Sequence, residues 1–520
     1  VAIEGVAGLA AKLYTRGVNP AREAKLQHMT ALASARLSTV AAWPVSTLHD
    51  GRNGPLRGFL MPRITGRHEV HEFFSPAQRK SLFPRLGWKF LVRIARNVAA
   101  AMEEIHASGF VIGDVNQKGF LVCPRTAQVT VIDCDSFQVR TGQRIYRCEV
   151  GVPEFTPPEL LGRSFSEVDR TPDHDAFGLA ILIFQLLFMG RHPFAGKTRR
   201  PDGTLEAAIR EFQFVHGPEA VRGGIEAPVH SLPFRAVSTD VSALFQVAFS
   251  REAASRRRPS AGDWVGALET FESQIAACRE AEAHEYWQGL KACPWCELEE
   301  LNGIVHFLPG WVCKAVPETG EIDVGALRRR LEEMSLPENL DRFVKARPCP
   351  PRDLTPVPAE LLRRKRFFSI WREVFTAVGT FCVAMGLVWE WKSAAVGFLL
   401  HVVARLRYVG GAEEEDERRD AFSRARSKLA EAKVRLRHRP AIDSLRKMRE
   451  ALGVELKRHA SPRDRRRAAG AIRTGLAQVE VLHRAAKKEL ELAASQVRLA
   501  TADLEKAEAE LMEIQEVLGR

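Results

Sequence analysis

Apolar positions near the start of the chain fall in short clusters. "VAGLAAKLY" predicts a strand carrying Lys12, "PAREAKLQHM" a helix carrying Glu23, and "GFLMPRI" a second apolar strand that runs into a linker. From Trp88 the period lengthens: "WKFLVRIARNVAAAMEEIHASGF" has the spacing of a helix and ends at Gly109, which suits a C-terminal cap. Phe120–Val122 and Val129–Ile132 then predict two short strands, with Pro124–Ala127 as their turn. After "PEFTPPELLG" comes an apolar helix, "DHDAFGLAILIFQLLFMG". The order is a strand-rich lobe, a hinge, and a mostly helical lobe with the hairpin at their junction.

Two further patterns occupy the distal half. "VFTAVGTFCVAMGLVW" (374–389) and "SAAVGFLLHVVA" (393–404) are apolar and split by Glu390-Trp391-Lys392. Arg363, Arg364, Arg366 and Arg372 precede them, and Arg405 and Arg407 follow. By the positive-inside rule both ends face the cytoplasm, so the expectation is a membrane helical hairpin. Each arm is shorter than the ~20 residues of a full span. One continuous helix would bury Glu390 and Lys392 at roughly 2.5–3.5 kcal/mol each; a soluble core hairpin is the other reading. From Leu476 apolar residues alternate three and four apart through Val479, His483, Ala486, Leu490, Ala493 and Val497 to Leu518, an unbroken heptad pattern. Phe422, Ala425, Leu429, Ala432 and Leu436 repeat the spacing. They pair with the long helix within one chain or with a second chain, so a homo-oligomer through a coiled coil is one expectation.

Length and charge narrow this picture. A chain of 520 residues exceeds one domain, and three or four units are expected. The net charge of +12 and pI near 9.4 suggest an anionic partner surface, membrane headgroups or nucleic acid. "SPRDRRR" reads as a solvated basic face, so nucleic acid is the less favoured partner. The nine cysteines follow no small-scaffold spacing and no leader precedes them, which points to a reducing cytosol. The chain opens at Val1 without Met, in what reads as mid-strand, so a missing N-terminus is expected.

Two clusters carry candidate chemistry. In "GDVNQKGFLVCPRTAQVTVIDCDSFQV", Asp114 precedes the hairpin, and Asp133 and Asp135 follow it. The hairpin brings Asp114 and Asp133 toward each other, as one base and one metal ligand require. In "CREAEAHEYWQGLKACPWC", Cys278, His284, Cys293 and Cys296 form a Cys₃His set suited to closed, structural Zn²⁺. Cys313 and His306 are alternative ligands; a redox CxxC is the competing reading, but no βαβ unit surrounds it.

Residues 1–275 resemble the protein kinase superfamily. The resemblance matches Lys12 to the lysine on the ATP α- and β-phosphates, Glu23 to its helix partner, and Asp114 to the catalytic-loop aspartate that takes the substrate hydroxyl proton. Asp133 in "DCD" matches the Mg²⁺-binding aspartate, and Glu159 in "PPE" the glutamate that would pair with Arg258. Asp173 and Gly178 match the helix that anchors the catalytic loop. "VIGDVN", "VIDCDSFQV", "GVPEFTPPEL", "HDAFGLAILIFQLLFMGRHPFAG" and "CPWC" resemble more narrowly a bacterial kinase-like family. Its members are associated with a von Willebrand A protein and a metal-dependent phosphatase, in systems first linked to tellurium resistance. The chain departs from the superfamily pattern at Ile112-Gly113-Asp114, where the arginine that reads a phosphorylated activation loop is missing. It departs again at Gly119, in place of the second Mg²⁺-binding asparagine, so that Asn116 or Gln117 must substitute. No Gly-rich phosphate loop is visible.

The expected architecture is α+β: a two-lobed protein-kinase-like domain (1–275), a small zinc module (276–312), a linker (313–365, Pro-rich at 348–358), the membrane hairpin (366–410) and a coiled-coil tail (411–520). The expected activity is transfer of the ATP γ-phosphoryl to serine or threonine hydroxyls of a protein substrate, with ATP, Mg²⁺ and structural Zn²⁺. The expected site is the cytoplasmic face of a bacterial inner membrane. The alternative is a pseudokinase scaffold that binds nucleotide without turnover.

Overall fold

The computed structural model describes residues 8–51, 54–142, 144–198, 203–228, 230–317, 324–334, 336, 414–435, 440–458 and 462–517. The Pro-rich linker (348–358) and the hairpin expected at 366–410 lie outside the described residues. Among the described residues, no helix is long and apolar enough to cross a membrane. The chain divides into two compact units, one of residues 1–331 and 448–481, the other of residues 332–447 and 482–520.

In the first unit, β1 (Leu9–Leu13), β2 (Ser46–His49) and β3 (Leu56–Pro62) form an antiparallel sheet in the order β1-β3-β2, with Lys12 opposite Phe59. Helix α1 (Pro20–Ala31) starts where Asn19 accepts the Arg22 N–H and proline fills the first turn, so both start signals agree. Helix α2 (Ala35–Val40) follows. Beyond the sheet come α3 (Val70–Phe74), α4 (Pro76–Leu82) and α5 (Trp88–Ala107). Helix α5 buries Trp88, Leu91, Val92, Ala95, Val98, Ala99, Met102 and Ile105 along one face. Gly109, with φ +82°, turns the chain out of the helix, as expected for its cap.

The predicted hairpin is present. β4 (His68–Glu69), β5 (Phe120–Val122) and β6 (Val129–Val131) form a sheet in that order, with Phe120 opposite Val131 and Val122 opposite Val129. Helix α6 (Pro172–Leu187) opens on a reciprocal cap between Thr171 and His174 and is buried on nearly every side. It packs against α5. After α7 (Leu205–Arg210), α8 (Pro218–Gly223) and α9 (Thr239–Ala248), helix α10 (Ala261–Ser273) also packs on α5.

The cysteine-rich segment shares this core. Trp295, on α11 (Pro294–Asn302), lies edge-on to Trp88 at 5.4 Å, and Trp88 lies edge-on to Phe271 of α10 at 5.6 Å. Glu285 accepts the Lys89 N–H (2.8 Å) in the first turn of α5. Arg79, buried with no carboxylate partner among the described residues, donates to the carbonyls of Phe73 (2.8 Å) and His306 (3.0 Å) and lies over the Phe307 ring. Arg473, in the part of the long helix (Pro462–Val517) that belongs to this unit, donates to the carbonyls of Val316 and Pro317.

In the second unit, the helix over residues 414–435 packs along the distal part of the long helix. Phe422, Ala425, Leu429 and Ala432 share a core with Leu490, Val497, Leu504 and Leu511. Gln515 reaches Glu415, and Arg418 reaches the Glu510 carbonyl, so the pair is antiparallel and within one chain. Alanines at 425, 432, 493, 500 and 507 let the two backbones approach, and each buried leucine contributes roughly 1.5–3 kcal/mol.

Candidate functional site

The site begins on β1. Its fourth residue, Lys12, extends Nζ to Asp133 Oδ1 (2.9 Å) and to Asp135 Oδ1 (2.6 Å). The Tyr14 hydroxyl donates to Asp135 Oδ2 (2.9 Å), and Lys25 of α1 donates to the Asp135 carbonyl (2.7 Å). The Lys12–Glu23 pair expected from the sequence is not formed: Glu23 instead accepts from Gln27, one turn on, at 3.4 Å. The face of α1 decides this, because Lys25, Leu26 and Met29 are its buried residues.

Asp133 and Asp135 differ although two residues apart. Asp133 takes a left-handed backbone (φ +57°) and starts a short 3₁₀ turn, Cys134–Ser136, whose Ser136 N–H returns to the Asp133 carbonyl (2.9 Å). This kink leaves the Asp133 side chain 66 % exposed and encloses that of Asp135 at 9 %. Cys134 between them points into the core at 1 % exposure, and burial raises its thiol pKa. Asp133 is therefore the carboxylate open to an incoming cation, and Asp135 the fixed one. Burial alone would lower the Lys12 pKa; the Asp135 and Asp133 carboxylates outweigh it and raise the value. The Tyr14 hydroxyl is pushed up by burial and by Asp135, while burial brings Lys25 down to about 8.

Asp114 lies on the loop from α5 to β5. The Ile112 and Gly113 N–H groups donate to Asp175 (2.7 and 2.8 Å), whose carboxylate also meets His106 Nε2 at 3.0 Å. Asp175, 1 % exposed, thus anchors the loop from α6, where the sequence match pointed to Asp173. Asp173 accepts from Arg258 instead (2.6 and 2.9 Å). Arg258 also makes the expected pair with Glu159, which is bidentate at 2.7 and 2.9 Å. Gly178 serves the same floor: a Cβ there would stand 2.8 Å from the Val115 side chain.

The Asp114 loop and the Asp133 turn run side by side at both ends. The Ile132 N–H donates to the Gly119 carbonyl (2.9 Å), and Val111 and Gln138 exchange two backbone bonds (3.3 and 2.8 Å). Asp114 Oδ1 is buried and has no hydrogen-bond partner among the described residues, an acceptor held ready for a donor. Asn116 is occupied locally, donating to the Asp114 carbonyl (3.1 Å) and accepting from the Lys118 N–H (2.9 Å). At Gly119 a Cβ would meet only the Asn116 carbonyl, at 3.6 Å. Arg170, unremarked in the sequence, donates to the carbonyls of Gly113 and Val150 (2.7 Å for the second) and covers the Phe165 ring.

The second cluster matches its sequence expectation in all four members. Cys278, His284, Cys293 and Cys296 place their ligand atoms within 4.8 Å of one another. His284 Nδ1 is 3.3 Å from Cys296 Sγ and 3.7 Å from Cys293 Sγ, and Cys278 Sγ is 3.8 Å from Cys296 Sγ. His284 Nε2 meets the buried Glu299 carboxylate at 3.0 Å, an arrangement that orients the ring with Nδ1 toward the thiols. The alternatives lie elsewhere: Cys313 donates to the Pro84 carbonyl, and the His306 ring packs on Trp295. Three thiols and an oriented imidazole can hold a tetrahedral metal ion.

No family model matches the chain. Over 309 residues it is 40 % identical to protein kinase YegI of Escherichia coli strain K12, covering 59 % of this chain and 47 % of that protein. The protein of the same name from Escherichia coli O157:H7 is 40 % identical over 301 residues, covering 57 % of this chain and 46 % of its own length. The chain spans about half the length of the curated relatives it matches. Over more than half of its own length, it is similar to bacterial proteins named as protein kinases.

Proposed function

We propose that the chain is a bacterial protein kinase that transfers the γ-phosphoryl group of ATP to serine or threonine hydroxyls, on a two-lobed kinase fold. The observation that carries this is the pairing of Lys12 with Asp133 beside a separately anchored Asp114 whose Oδ1 is unpartnered. Phosphoryl transfer asks mainly for positioning and charge neutralisation. Lys12 supplies a cation for the phosphates, and Asp114 accepts the proton of the attacking hydroxyl. The exposed Asp133 would hold Mg²⁺, which neutralises phosphate charge when bound. Asn116, already engaged within its loop, leaves Asp133 as the main protein ligand.

The same reading gives the Cys278/His284/Cys293/Cys296 cluster a structural Zn²⁺. It makes residues 366–410 a membrane tether at the cytoplasmic face of the inner membrane, and a von Willebrand A protein and a metal-dependent phosphatase the functional partners. Reporter fusions at residue 365 and at the C-terminus check the tether: both ends should report cytoplasm, and a periplasmic C-terminus contradicts it. Incubating the full chain with γ-labelled ATP and acceptor proteins checks the chemistry. Acid-stable, alkali-labile phosphoprotein is expected; acid-labile label would point to a different acceptor group.

Gly119 favours a second reading, a scaffold that binds nucleotide without turnover, because glycine offers no second metal ligand. Nucleotide binding without any transfer would select it.

A further inference from the structure

We infer that Asp135 is the positioning residue of Lys12, occupying the role that the sequence match gave to Glu23. The inference rests on the kinase reading for its consequence but not for its geometry. Of the two carboxylates on Lys12, Asp135 is the nearer (2.6 against 2.9 Å) and the enclosed one (9 % against 66 % exposed). It is held at three points: Lys12 on Oδ1, the Tyr14 hydroxyl on Oδ2, and Lys25 on its backbone carbonyl. A carboxylate with both oxygens engaged and its main chain clamped is a fixed anchor. Asp133, exposed, is free to leave Lys12 for a cation. When it does, Asp135 still aims the lysine.

The link between α1 and the site also changes sign. In the expected scheme a glutamate on the helix reaches the lysine directly. Here the helix contributes a second cation, Lys25, which grips the turn that carries Asp135. Movement of α1 is thereby transmitted to Lys12 through Asp135. Arg22 of the same helix lies over the Tyr14 ring (5.4 Å), so two α1 cations border the anchor. Among the described residues, Asp133, Asp135 and the buried Cys134 thiol face Lys12, with Tyr14 and Lys25 on Asp135 and Arg22 over the Tyr14 ring.

The test reads Lys12 directly. The full chain is labelled with trace acetic anhydride across a pH series, and the Lys12 peptide is quantified by mass spectrometry. Only the free amine reacts, so the midpoint of labelling follows the lysine's titration. Asp135→Asn keeps the shape and removes the charge, and it should move the midpoint to lower pH. Asp135→Glu should restore it in part, and Glu23→Gln should leave it in place. A midpoint that moves in Glu23→Gln and stays in Asp135→Asn overturns the inference.

Mg²⁺·ATP binding is measured in parallel. Loss of a charge-assisted contact predicts roughly tenfold weaker binding for Asp135→Asn, while Glu23→Gln binds as wild type; equal loss in both also overturns it. Wild-type protein that binds no ATP would defeat the kinase reading alone, because the labelling midpoints stand without nucleotide.

Discussion

At the scale of single residues, the strongest commitments are the buried charges. The Arg258 side chain is fully enclosed and reaches both Glu159 and Asp173. Removing Arg258 strands two carboxylates that are 25 and 30 % exposed, so the cost falls toward the low end of the roughly 3–5 kcal/mol of a buried pair. Arg258→Ala should therefore lower the unfolding free energy of the first unit, read from denaturant titration, by about 3 kcal/mol, whereas a change below about 1 kcal/mol would show the network to be solvated. Three buried histidines of the same unit, His192, His216 and His306, add to its acid sensitivity. Burial depresses His192 and His216 to about 4, the first against the Glu154 carbonyl and the second stacked on Phe234 at 4.7 Å. The unfolded chain binds these protons near pH 6.5, and the folded one does not until about 4. Their contribution is thus fully present above pH 6.5 and is lost as pH falls toward 4. His216→Phe should lose less of its melting temperature than wild type across that window; parallel curves would assign the acid sensitivity elsewhere.

At the scale of elements, Arg170 does what the sequence left without an owner. With isoleucine and glycine before Asp114, no catalytic-loop arginine is present to read a phosphate. Arg170 arrives from the turn before α6 and bridges the Gly113 and Val150 carbonyls. Gln138 fastens its backbone from the other side, through 2.7 and 2.8 Å bonds. Arg170→Met should reduce turnover by roughly 10²-fold through misplacement of the loop, with little change in the KM for ATP. Loss confined to KM would deny the brace.

The elements themselves were largely legible. Local pattern determined α1, α5 and the β5–β6 hairpin by their apolar spacing, and α6 by its long continuous apolar run. Glu159 and Arg258 were readable because both sit in short fixed motifs. The partner of Lys12 was not. It depends on the left-handed turn at Asp133 and on which face α1 turns inward, and neither leaves a local pattern. Asp173 and Asp175 were confused for a similar reason: two residues on a helix point to nearly opposite sides. The antiparallel seam of the tail was readable as a heptad; that its partner is the same chain required the helix over 414–435 to be in place.

At the scale of the whole molecule, the first unit joins the Asp114 and Asp133 loops to the Cys278/His284/Cys293/Cys296 cluster. Trp295, beside Cys296, packs edge-on against Trp88, and α5 runs from there to the loop that carries Asp114. Metal at the Cys278/His284/Cys293/Cys296 cluster should therefore stabilise the catalytic part as well as its own segment. Protein purified without chelator should carry one Zn²⁺ per chain by elemental analysis, and Cys293→Ser should lose it and lower the melting temperature of the whole unit. Metal-free wild-type protein would contradict the site. The central claim is phosphoryl transfer with Asp114 as the base. Its most direct test is the initial rate of γ-phosphoryl transfer by the full chain, wild type against Asp114→Asn, at matched nucleotide occupancy. The account predicts transfer by wild type and its loss in Asp114→Asn with ATP still bound; equal transfer by the two proteins would contradict it.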